Sequence, residues 1–300
     1  MSSSSEARDF LVSRRARVRP EQVGLTAGPN RRVAGLRRGE VADLANISVE
    51  YYSKLERGHL SGVSDAVLRS VAHALRLDDA ETAHLFDLAR ALTTSPTRRG
   101  RPTRRTPTIR AGLQQTLDAI TDGPAIVRNG RMDLLAANTL GRALYSDVYL
   151  DPRRPANFSR FTFLDRERSE RFYPDWDAAA DVAVAIMRLE AGRDPHDRDL
   201  QDLVGELSTC SADFRERWAR HNVRLHAAGV KPFHHAAVGD LVLTYEAFDL
   251  AADLGLNLTV YSAPAGSPTA DGLRLLARWA ATGESEEAPS ARSTHPVEQS

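Results

Sequence analysis

Apolar residues recur at three- and four-residue intervals through the first ninety or so positions, the spacing of short amphipathic helices. Phe10, Leu11 and Arg14 lie along one side of a helix expected from Glu6 to Arg17, and a loop with Pro20, Gly24, Gly28 and Pro29 follows. A second helix is expected from Arg38 to Ala45. Val41, Leu44 and Ala45 form its inward face, and the small Ala42 and Ala45 admit a close neighbour. Asn46 falls where the chain must turn sharply, and asparagine tolerates a left-handed backbone better than most residues. Ser48 is placed as the N-cap of a third helix, Val49 to Arg57, and Gly58 as its stop. Tyr51 stands where a capping box needs Glu or Gln, so the Ser48 hydroxyl alone serves the free backbone amides. Ile47, Tyr52 and Leu55 should face the core, while Glu50, Ser53, Lys54 and Arg57 stay accessible. A capped helix follows at Ser64/Asp65 through Val67, Leu68, Val71 and Leu75, and another near Ala80 to Leu92 through Leu85, Phe86 and Leu88. Five such helices make a compact all-α domain. The pair around Asn46 has the layout of a helix-turn-helix, whose second helix enters a DNA major groove.

The pattern then stops. Residues 95–108, rich in Arg, Pro and Thr, carry no core periodicity and read as a basic linker, with contact to a DNA backbone or minor groove left open. Beyond it, Ile109 to Ile120 reads as a helix, Ala125-Ile126-Val127 as a strand, Asn129-Gly130 as a turn and Met132 to Leu135 as the return strand. Helical spacing covers Asn138–Tyr145, Asp175–Ala191, Asp197–Glu206 and Ser211–His221. Strand-like runs return at Phe233–Ala237, Leu241–Ala247 and Leu256–Ser262, before a last helix from Thr269 to Ala280. That order predicts an α+β domain at 109–282, an antiparallel sheet with helices against one side. Residues 283–300 are polar and Pro/Ser-rich, and are expected to be a disordered tail after a helix-turn-helix domain at 1–94, the linker and the α+β domain.

Charge sharpens this division. The 300-residue chain has a formal net charge of zero, yet residues 1–40 hold nine Arg against four acids and residues 90–110 hold seven Arg and no acid. Residues 175–210 reverse the sign, with nine acids against three Arg, so a basic, DNA-facing field is cancelled only in the total. The single cysteine, Cys210, excludes an intramolecular disulfide and favours a cytoplasmic home, and it reads as a half-buried small hydrophobe. No apolar run follows the amino-terminal serines and none approaches a membrane span, so neither a signal peptide nor membrane insertion is expected.

The wording Gly35-Leu36-Arg37-Arg38 before the second helix and Tyr51-Tyr52-Ser53-Lys54-Leu55-Glu56-Arg57-Gly58 in the third resembles Xre/Cro-type helix-turn-helix regulators, in the actinobacterial branch with an MmyB-like ligand-binding domain. The resemblance continues through Leu134-Leu135-Ala136-Ala137-Asn138, Tyr173-Pro174-Asp175-Trp176, Phe214 to His221, Lys231-Pro232-Phe233-His234-His235 and Val260 to Ser267, covering about residues 110–280. It implies an all-α helix-turn-helix domain joined to an α+β, PAS-like sensor, and a small apolar or amphipathic ligand such as a fatty acid. It further implies that Val49, Glu50 and Lys54 read base edges, with Ser53 a further candidate, and that Arg38 and Ser48 contact phosphate or orient the helix. Arg37 and Arg57 complete the basic surface, and Glu56 matches an acidic structural position. Gly39 and Asn46 depart from the Glu and Gly usual there, and Asn222 from an Asp usual after His221.

The expected partners are double-stranded DNA, as an inverted-repeat operator bound by a homodimer, and a small lipid-like ligand; no cofactor is required. Phe161, Phe163, Phe172, Trp176, Trp218 and Tyr245 are candidates for an apolar cavity, against the alternative of ordinary core packing. His221, His226, His234 and His235 form no Cys/His zinc motif or HExxH, and GxGxxG, Walker A and GxSxG are absent, so no enzyme is expected. A DNA-associated small-molecule enzyme and a protein-partner scaffold remain the alternatives.

Overall fold

The computed structural model describes residues 3–26, 31, 33–93, 109–223 and 227–287. Its amino-terminal part is helical: α1 (Ser3–Arg17), α2 (Arg38–Leu44), α3 (Val49–Glu56), α4 (Asp65–Ala74) and α5 (Asp79–Thr93). Phe10, Leu11, Leu36, Val41, Tyr52, Leu55, Leu85 and Leu88 are essentially solvent-free and form one cluster. Asn46 makes the α2–α3 turn with φ +54°, in the left-handed region. Ser48 Oγ accepts from the Tyr51 amide at 3.1 Å, capping α3. Gly58 ends α3 at φ +90°, and a side chain there would also run into the Ser4 backbone of α1. Glycine is needed twice over.

The second part comprises α6 (Ala111–Asp118), β1 (Ala125–Asn129), β2 (Asp133–Ala137), α7 (Thr139–Leu144), β3 (Ala156–Asn157), α8 (Phe158–Leu164), α9 (Arg166–Phe172) and α10 (Trp176–Arg193). It continues with α11 (Arg198–Cys210), α12 (Ala212–Ala219), β4 (Ala228–His235), β5 (Gly239–Asp249), β6 (Leu256–Ser262) and α13 (Pro268–Glu287). The strands form one antiparallel sheet in the order β3-β2-β1-β6-β5-β4, the expected α+β, PAS-like arrangement. One face, carrying Ile126, Phe233, Leu243 and Tyr261, packs on α8 to α12. The other face of the central strands, through Val127, Leu256, Leu258 and Val260, meets Leu113 and Leu117 of α6. β1 is buried on both sides, which is why Ala125 to Asn129 show no polar alternation.

Several elements differ from expectation. β3, α8 and α9 lie in a stretch to which no periodicity assigned a structure. There Asn157 caps α8 by accepting from the Arg160 amide at 3.0 Å. β4 starts at Ala228, ahead of its first apolar core residue, because Gly229 and Lys231 pair with Tyr245 and Leu243 across the β4–β5 ladder. Cys210 is exposed at the end of α11, not half-buried. α13 continues through Glu287, beyond the expected stop at Ala280. The linker at 95–108 and the chain after 287 fall outside the described residues.

The two parts share a core. Leu189 of α10 and Val223, after α12, belong to the helical cluster of the amino-terminal part, and α10 packs along α5.

Candidate DNA-reading surface and ligand cavity

The cap and turn around α3 fix which of its residues reach solvent. Val49 is 41% exposed and Tyr51 37%. Glu50, Lys54 and Arg57 are exposed, Ser53 is half-buried, and Ser48 and Arg37 are exposed at the approaches to α3 and α2. By the helical repeat, Val49, Glu50, Ser53, Lys54 and Arg57 fall on one side of α3, where the Arg57 Nε donates to the Ser53 carbonyl at 3.0 Å. Arg38 is different. Its Nε donates to Glu56, a carboxylate 1% exposed that also takes a bond from Arg15, so Glu56 clamps α1, α2 and α3 together. Arg38 still leaves 55% of its side chain in solvent, so one guanidinium holds the fold and faces outward at once. Tyr51 is a surface residue of the recognition helix to which sequence reasoning gave only a capping position.

Glu40 takes the Arg37 amide at 2.6 Å and Arg31 in a bidentate pair at 2.6 and 2.7 Å. The Arg31 hydrogen bond is the main cause that holds its carboxyl down to about 2. Glu40 thereby secures the start of α2, which Gly39 would otherwise leave weak.

Inside the second part, between the sheet and α10, lies a small cavity of about 30 Å³. Arg128 of β1 and Lys231 of β4 line it, with Tyr145, Tyr173 and Tyr261 and, from α10, Ala183 among others. Tyr145 and Tyr261 share a hydroxyl hydrogen bond of 2.6 Å, and burial pushes Tyr261 up to about 12 and Tyr145 well above its usual range. Arg128 is 7% exposed and, among the described residues, makes only a long 3.5 Å bond to the Asn129 carbonyl. Neither Arg128 nor Lys231 has a carboxylate within ion-pair distance among the described residues. The Lys231 ammonium instead lies 4.4 Å from the Tyr173 ring centre and 5.3 Å from that of Phe233. Desolvation, and then the nearby Arg128 charge, pull it down to about 7. Desolvation lowers Arg128 as well. Two basic side chains facing a small space without a direct ion-pair partner, and with only the more distant charges of Asp249 and Glu190 acting on Arg128, make a site that favours an anionic group.

The six aromatics expected to line the cavity sit one layer behind it. Phe161 and Phe172 pack edge to face, Phe163 meets Trp176 and Phe214, and Tyr245 leans on Tyr261. Trp218 stacks on Phe214 and carries the Arg188 guanidinium 3.8 Å over its ring. The reason is geometric: these rings satisfy one another's quadrupoles and fill the core, while the lining comes from Tyr145, Tyr173 and Tyr261. The available signal was Arg128, a charge inside an apolar strand. Of the four histidines, His234 pairs with Asp240 at 2.6 Å and His235 meets the Ala143 carbonyl at 3.0 Å. His221 lies where the two parts meet, and His226 falls outside the described residues.

A helix-turn-helix with an exposed, capped third helix, joined to a domain with an internal cavity, defines a ligand-regulated DNA-binding transcription regulator. Family comparison gives the same division: residues 109–276 match the MmyB-like transcription regulator ligand binding domain and residues 13–85 a helix-turn-helix domain. The chain belongs to the MmyB-like transcription regulators. Comparison with curated proteins finds no match. Among the described residues, no helix is long and apolar enough to cross a membrane.

Proposed function

We propose that this protein is a cytoplasmic, non-enzymatic regulator that binds an inverted-repeat operator as a homodimer and responds to an amphipathic acid resembling a fatty acid. The observation that carries the ligand reading is the pair Arg128 and Lys231, which line one cavity with no carboxylate within ion-pair distance of either among the described residues. An acid group docks there and the Tyr145–Tyr261 pair orients it. The apolar body must follow into a space of only about 30 Å³, so binding has to displace a wall. The sheet is cross-linked by its ladders, which leaves α10 as the wall that moves. In the DNA head, Val49, Glu50, Lys54 and Ser53 read base edges, while Arg37, Arg38 and Arg57 meet phosphate.

Selection from random DNA, followed by footprinting, tests the head: a preferred sequence with two half-sites is expected, and uniform binding to all DNA overturns the reading. Titration with dodecanoate, dodecan-1-ol and a dodecyl trimethylammonium salt tests the sensor. The acid should bind tightest. Equal binding of acid and alcohol would remove the role given to Arg128 and Lys231.

A further inference from the structure

The surface between the two parts has an unusual composition for a permanent junction. Arg188, 1% exposed on α10, reaches across to Glu6 of α1 with one guanidinium nitrogen and to the Trp218 carbonyl with another. Arg14, 2% exposed on α1, answers in the opposite direction, holding Glu81 of α5 at 2.8 Å and the His221 carbonyl. Arg17 adds a 3.3 Å bond to Asn222, and Arg193 lies 3.6 Å from Asp87 of α5. His84 of α5 sits against Gly192 so closely that a Cβ there would stand 2.5 Å from its Cε1.

Among the described residues, five buried side-chain polar atoms lack a hydrogen-bond partner within the chain. Four of them are here: Arg14 Nε, Arg188 Nε, His84 Nδ1 and His221 Nδ1. A buried polar network left partly unsatisfied costs free energy that water recovers once the surfaces part. The polar part of this junction is readily wetted, while Leu189 and Val223 supply its apolar contact.

The helix that carries Arg188 is also the cavity wall. At about 100° per residue, Ala179, Val182, Ala183 and Ile186 share the side of α10 that lines the cavity, and Arg188 points to the opposite side.

We propose that α10 is the transmission element of this regulator: cavity occupancy pushes it outward and parts the Arg188–Glu6 and Arg14–His221 junction, freeing the DNA head from the sensor. The proposal rests on the ligand reading above for its physiological trigger, but it can be tested without any ligand. A filled cavity is mimicked by Ala183→Phe. The junction is opened from its other side by Gly192→Ala, which drives a methyl into His84, and more gently by Glu6→Gln.

Hydrogen–deuterium exchange on the full-length variants, each first checked for a native circular dichroism spectrum, reads the outcome. Ala183→Phe should speed exchange in residues 3–17 and 79–93 by roughly fivefold or more, with residues 38–56 unchanged. By reciprocity, Gly192→Ala and Glu6→Gln should alter the affinity for dodecanoate, used as the probe, by a comparable factor. Faster exchange in Ala183→Phe confined to residues 109–223 overturns the proposal, as does a junction opened in both other variants with dodecanoate affinity unchanged. Absence of dodecanoate binding in every protein counts against the ligand reading instead, and the Ala183→Phe arm then decides the transmission.

Discussion

Lys54 and Arg38 are both cations beside the recognition helix, and the structure predicts different phenotypes for them. Lys54 is exposed with no side-chain partner among the described residues, so Lys54→Ala should weaken the selected site more than random DNA. Loss of about 1–3 kcal/mol of discrimination is the scale of one base contact. Arg38→Ala removes a cation proposed to meet phosphate and also half of the bonding to the buried Glu56, so it should weaken all DNA evenly and lower the melting temperature. Equal losses on specific and random DNA for Lys54→Ala would take away its base-reading role, and an unchanged melting temperature for Arg38→Ala would take away the clamp. In the sensor, Lys231→Met and Arg128→Met should each reduce the preference for dodecanoate over dodecan-1-ol by tenfold or so, the order of a charge-assisted hydrogen bond. Because burial holds Lys231 near 7, binding of an anion should also take up a proton at neutral pH, seen as a buffer-dependent heat in calorimetry.

At the scale of elements, Gly58 offers the sharpest test. Its positive φ and the Ser4 backbone beside it mean that Gly58→Ala should cost about 1–3 kcal/mol by thermal unfolding and loosen α1 from α3. A neutral effect would show that α1 does not brace the recognition helix. Elements of this kind were readable from the chain because their signals are local. Ser48 and Ser64 each cap the helix that their sequence position announced, and Asn46 and Gly58 turn where they were expected to turn. What escaped were features decided by distant partners. Phe158 to Phe172 carries its aromatics at spacings that no single template claims, and its two short helices exist because α10 and β4 cover them. The cavity beside α10 is lined by rings other than those singled out in the sequence, for the same reason. Which aromatics line a space and which pack behind it depends on strands and helices more than a hundred residues apart, as Tyr145 and Tyr261 do.

For the whole molecule, the junction predicts a response to acid. His84 and His221 are held at about 3 and about 4, chiefly by burial and then by Arg188. His221 and Arg193 also face His84, and Glu6 lies 3.9 Å from His221. Both values lie below the usual 6.5, so their contribution is fully present above that pH and is lost as pH falls toward 4. The slope is about 1.4 kcal/mol per pH unit for each histidine. Melting curves should show this decline between pH 6.5 and 4.5. His221→Asn, which accepts the left-handed backbone of that position (φ +52°), should flatten it. An unchanged slope would move the acid response elsewhere. A homodimer that reads two half-sites should in turn prefer recognition helices about 34 Å apart, one DNA turn, which light scattering and a titration of half-site spacing would check.

Leu189 and Val223 close the core of the DNA head although they lie far along the chain, in the other domain. The order of the sequence suggests two interchangeable modules on a string, yet the head's interior is finished by residues that arrive last. A chimera cut at the linker would inherit a head with an open seam. Exchange between regulators of this kind, in the laboratory or by recombination, should succeed only when α10 and the segment after α12 travel with the head they complete.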